Sequence, residues 1–167
     1  MPASNATPKP RLDVKTQGDR EIVMTRVFDV PRRLVFEAMT KPEHLKQWFG
    51  PHGWTCETSE IDFRVGGKWR TVLRGPSGQT MGMSGIYKEI APPDRFVSTE
   101  AFDDYPGESL NTLSFVERDG KTTFTVTVQY PSAEVRDIVL RSGMERGAGE
   151  TYDRLAEHLK TMLQNAA

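Results

Sequence analysis

Few residues in this sequence have the type and setting to do chemistry. Glu100 stands in the run Phe96-Val97-Ser98-Thr99-Glu100-Ala101-Phe102, which reads as a strand. Turned inward, a strand glutamate loses solvation, its pKa rises, and it can serve as a general base. The ordinary expectation is that it faces solvent. His52 is the other candidate acid or base. It lies in a Gly- and Pro-rich turn. His44, His52 and Cys56 are near one another, but their spacing fits no zinc pattern, and His158 is expected on the exposed side of the last helix. No metal is therefore expected. FDDYPGES, residues 102–109, lacks the calcium-loop pattern and reads as a solvated turn. The nucleophile elbow, the zinc-protease helix, the redox cysteine pair and the phosphate loop are all missing, so no cofactor is expected.

Binding is better represented than catalysis. WFGPHGW, residues 48–54, is a helix end and loop that carries three large aromatic rings. Trp48, Phe49 and Trp54 either rim a ligand cavity or plug the end of a solid core. Trp69, Met83, Met144 and Tyr152 are the other expected lining residues, because strand alternation and helix spacing can bring them to the same interior. Gly147, early in the last helix, either permits close packing or leaves room for a ligand.

The elements that would position these residues follow from periodicity. REIVMTRVFDV, 20–30, reads as a strand, and Pro31 opens a helix. Thr40-Lys41-Pro42-Glu43 has the capping-box pattern of a second short helix. Strands are expected near 54–63, 68–74, 80–90, 95–102, 110–118 and 121–130, with tight turns at Gly66-Gly67 and Asp119-Gly120. Ser132 is the expected N-cap of a third helix and Gly143 its C-terminal stop. A long amphipathic helix then runs from Met144 to Gln164. The fold class is α+β: a curved seven-stranded antiparallel sheet around a long C-terminal helix, with two short helices after the first strand. A gap between sheet and helix would be an apolar cavity.

The totals agree. The 167 residues suit one domain, read as 18–167, after a Pro-, Lys- and Thr-rich disordered tail over 1–17. A net charge of -1 gives no electrostatic reason to expect nucleic acid or an anionic membrane. No apolar run can span a bilayer, no secretion signal is expected, and the single cysteine fits a cytoplasmic protein.

Several segments carry a family resemblance. They are Val30-Pro31 through Ala38, Lys41-Pro42-Glu43 with Trp48-Phe49-Gly50-Pro51, and Asp62 to Gly67. Gly85 to Ile90 with Pro92-Pro93, Tyr130-Pro131-Ser132 and Ser142 to Gly147 complete it. The chain resembles the START-like helix-grip superfamily (SRPBCC), in the branch named for the activator of the heat-shock protein 90 ATPase. That resemblance implies the helix-grip fold but no single function. The expected function is a cytoplasmic protein that binds a small apolar molecule. A cyclase- or hydratase-type enzyme using Glu100 or His52 is one alternative. A stress-related, co-chaperone-like interaction module is the other. A homodimer is compatible with all three.

Overall fold

The structure is a computed structural model that describes residues 11–166. Its elements in chain order are β1 (Asp13–Gln17), β2 (Glu21–Phe28), α1 (Arg32–Thr40), α2 (Pro42–Trp48), β3 (Thr55–Ile61), β4 (Lys68–Arg74) and β5 (Thr80–Ala91). They continue with β6 (Arg95–Phe102), β7 (Ser109–Arg118), β8 (Lys121–Gln129), α3 (Ala133–Arg141) and α4 (Met144–Asn165). The strands form one antiparallel sheet in the order β1-β2-β8-β7-β6-β5-β4-β3. The two short helices after β2 and the long α4 complete the α+β helix-grip fold.

The sheet has eight strands rather than seven. β1 falls in the segment that the sequence assigned to a disordered tail, and residues 1–10 of that segment lie outside the described residues. β1 is polar and mostly exposed, so it has no alternation to betray it. Its order comes from backbone pairing with β2, from Asp13 opposite Thr25 to Gln17 opposite Glu21.

Other local signals act as their chemistry predicts, with two exceptions. Ser132 Oγ accepts the Val135 N–H at 3.2 Å and caps α3. Asp119 and Gly120 both take positive φ in the β7–β8 hairpin. Thr40, however, does not cap α2. It ends α1, and its hydroxyl donates to the Phe36 carbonyl at 2.8 Å, while Lys41 is the α2 N-cap and Pro42 the first helical residue. Gly66-Gly67 closes a longer loop from 62 to 67, tied by Gly66 N–H to the Tyr87 carbonyl and Tyr87 N–H to the Gly67 carbonyl.

The buried side chains form two clusters. The larger gathers Phe28, Phe36, Phe96, Phe115 and Phe124 with Leu155 and Leu159 of α4. Its rings meet largely edge to face, as between Phe36 and Phe115 at 5.3 Å. The smaller is Cys56, Leu73 and Met83 on β3–β5. Arg26 of β2 ties the sheet to α4 through Asp153 at 2.6 Å.

Candidate functional site

The aromatic loop is fastened by a residue that the sequence did not single out. Arg154 of α4 sends Nη1 to the carbonyls of Gly50 (2.7 Å), Pro51 (3.3 Å) and Trp54 (3.0 Å). A guanidinium suits this role because its N–H groups can meet several carbonyls past the end of α2. The His52 backbone N–H donates to Glu150 on the same helix at 3.1 Å. The His52 side chain is exposed, outside the protein interior, so it is not an interior acid or base.

Trp48 belongs to the core. It is 2% exposed, and its indole N–H donates to the Ala38 carbonyl at 3.0 Å. Of the two roles weighed for the loop's rings, Trp48 takes the plug. Met83 is likewise buried, in the smaller cluster. Phe49, Trp54 and Trp69 are half-buried around that cluster, whereas Met144 and Tyr152 are half-buried against the larger one. Phe49 and Trp69 touch both clusters. The predicted lining is thus two groups joined by two rings.

Between the two clusters the concave face is polar. On the strands, Trp69 lies opposite Gly85, and Glu100 opposite Ser109. Tyr130 follows Gln129, the partner of Leu110, and so extends the same transverse line. In the neighbouring line Ser98 pairs with Asn111 and Asn111 with Val128. Nearby on β3 and β4, Ser59 pairs with Thr71, and the buried Ser59 hydroxyl has no hydrogen-bond partner. Such a group costs free energy unless something supplies its bond.

The sheet is also irregular here. Between the Ser84–Ala101 and Tyr87–Ser98 pairs the β5–β6 register has no paired residues. Instead the Ile86 N–H donates to Thr99 Oγ1 at 2.9 Å, and the Thr99 carbonyl accepts the Trp69 indole N–H at 3.2 Å. Trp69 therefore lies across Gly85, the only residue type that leaves it room. A Cβ at Gly85 would collide with the Thr99 carbonyl and stand 2.5 Å from Trp69 Nε1.

Glu100 points into this region, against the expectation that it faces solvent. Burial pushes its carboxyl pKa upward, and the Asn111 amide beside it offsets part of that. The side chain still keeps some accessible surface. Burial, aided by the Glu100 charge, also raises the Tyr152 hydroxyl and pushes Tyr130 up to about 12. A carboxyl whose folded pKa lies above 4.5 adds no penalty below that value and costs stability as pH rises through the folded pKa. Glu100→Gln should therefore melt above wild type at neutral pH, with the difference shrinking to nothing toward pH 4 (about the ordinary glutamate value). Thermal melts across pH check this.

The histidines serve structure. His44 Nδ1 and His158 Nε2 are 2.9 Å apart across α2 and α4, with Glu37 3.8 Å from His44. His158 is thus half-buried, not on an exposed face, and burial followed by the His44 charge lowers its pKa. Among the described residues no three His, Cys, Asp or Glu side chains gather to hold a metal. The Cys56 thiol is buried and its pKa raised by burial, which keeps it unreactive.

Depressions open at the surface of the described residues. One of about 660 Å³ lies over β3–β6, past Glu60, Arg70, Ser84 and Glu108. Another, about 730 Å³, runs along α4 past Arg26, Asp153 and His158. Of the predicted lining only Trp69 reaches the first, and none reaches the second.

No curated protein matches the sequence. Among solved structures, a Rhodobacter sphaeroides protein is similar at 28% identity and TM-score 0.86, over 90% of this chain and 99% of its own. A Mycobacterium smegmatis protein is similar at 26% identity and TM-score 0.82, over 92% and 99%. A Nitrosomonas europaea protein has 25% identity and TM-score 0.81, over 89% and 99%. The family described as Activator of Hsp90 ATPase homolog 1-like protein matches residues 29–160, most of the chain. With the eight-stranded sheet gripping α4, that match assigns the chain to the activator of Hsp90 ATPase homolog 1-like family.

Proposed function

We propose that this protein is a cytoplasmic carrier of a small, mainly apolar molecule, held between the concave sheet face and the first half of α4. One observation carries the reading. A line of polar groups, Glu100, Ser109 and the Tyr130 hydroxyl, crosses the inward sheet face beside the two apolar clusters. A solid core would not place a desolvated carboxyl and an unpartnered Ser59 hydroxyl there without compensation. α4 supports it as well. A Cβ added at Gly147 or Gly149 meets no atom within 4 Å, so close packing does not explain these glycines. Phe49, Trp54, Trp69, Met144 and Tyr152 remain the proposed lining; Trp48 and Met83 form its rigid backing. The free, buried Cys56 suits a reducing compartment.

The enzyme reading has one point in its favour, the inward Glu100, which could act as a general base on a bound substrate. The interaction-module reading has less. The exposed large apolar side chains Val65, Tyr105, Ile138 and Leu163 lie on separate loops and helices, and only Val27 and Val116 share a cross-strand partner, Thr123.

Native mass spectrometry against the denatured mass tests the carrier. The expected result is a co-purifying small molecule lost on denaturation. A bare protein that also fails to bind apolar fluorophores saturably would overturn the reading.

A further inference from the structure

We infer that the ligand carries a protonated amine, and that its nitrogen docks on the Glu100 carboxylate while its apolar body lies against Trp69, Tyr130 and Tyr152. The inference rests on the carrier reading above and names the class of ligand for the same site.

A carboxylate held away from water needs a cation or a dense set of donors. The buried and half-buried arginines are engaged elsewhere: Arg26 on Asp153, Arg32 on Asp94, Arg70 on Asp103, Arg136 on Asp137 and two backbone carbonyls, Arg154 on the aromatic loop. Its neighbours on the sheet are neutral: Ser109 lies opposite it on β7, Asn111 is two residues further along that strand, and Tyr130 continues the same line past β8, with the Tyr152 hydroxyl of α4 nearby. Among the described residues no cation pairs with Glu100, and Trp69 and Tyr130 stand on the sheet with Tyr152 on α4. Ring faces attract organic cations, and a carboxylate beside such rings fixes where the charge sits. A ligand carboxylate or phosphate would be repelled by Glu100. An alcohol would gain only a hydrogen bond.

Three probes of one shape separate the outcomes: phenylbutylamine, phenylbutanol and phenylbutanoate, titrated calorimetrically into the full chain. Wild type should bind the amine about tenfold or more tighter than the alcohol, and the carboxylate weakest. Its affinity for the amine should rise with pH as Glu100 gives up its proton, until the amine itself deprotonates. In Glu100→Gln the amine should fall to the level of the alcohol measured on that variant. Glu100→Asp, which keeps the charge on a shorter arm, should keep part of the preference. If the alcohol binds and the amine binds no better, or if the preference survives in Glu100→Gln, this inference is overturned and the carrier reading stands. If folded wild type binds none of the three, both are overturned.

Discussion

Replacing Trp48 with alanine is expected to lower the unfolding free energy by about 3–5 kcal/mol, the usual cost of emptying a large buried aromatic site. The indole is 2% exposed and stands beside Phe49 at 5.4 Å and Tyr152 at 6.4 Å. Its loss also leaves the Ala38 carbonyl without the indole N–H, which adds to the penalty. Trp48→Phe should cost clearly less, because most of the ring volume remains. Denaturant titration measures both. A Trp48→Ala variant that melts near wild type would mean the ring lines an open space after all.

Alanine at Gly85 should be the second large effect. Glycine-to-alanine changes in strands are often mild, but here the new methyl meets the Thr99 carbonyl and the Trp69 indole. Overpacking of this kind costs about 1–3 kcal/mol. The displaced Trp69 should show red-shifted emission. Gly147→Ala is the matched contrast: its Cβ meets nothing within 4 Å, and the residue sits inside a helix. It should gain about 0.5–1 kcal/mol from helix propensity. If both substitutions moved stability equally, Gly85 would not be the seat of Trp69.

The strands from β2 to β8 and all four helices were legible because their signals are local. Alternation in Phe124, Val126 and Val128, turn residues at Asp119-Gly120, and the stripe from Leu155 to Met162 each act over a few residues. β1 escaped because a polar edge strand owes its order to its partner. Thr40 carried a capping signal, but only Lys41 separates α1 from α2, and the hydroxyl turned back to Phe36.

The site was half legible for a different reason. Glu100 shares its strand face with Phe96 and Ser98, and Asn111 shares one with Leu113 and Phe115. Parity would have turned both inward; weighing Glu100 by residue type turned it out. Trp48, Trp69 and Tyr152 were found because bulky aromatics mark interiors, yet composition cannot say which ring is sealed and which is half open. Arg154 had no local signal. Its partners lie about a hundred residues earlier, and only the fold brings them within 3.3 Å.

The most direct test of the carrier reading is an NMR titration of the three tryptophan indole N–H signals with phenylbutanol, each assigned by a Trp→Phe variant. The Met144 methyl is expected to shift and saturate together with the Trp69 indole, while the exposed His52 ring stays still. Shifts confined to the outer depressions, at Trp69 with Arg70 or at His52, with Met144 unmoved, would contradict the carrier reading.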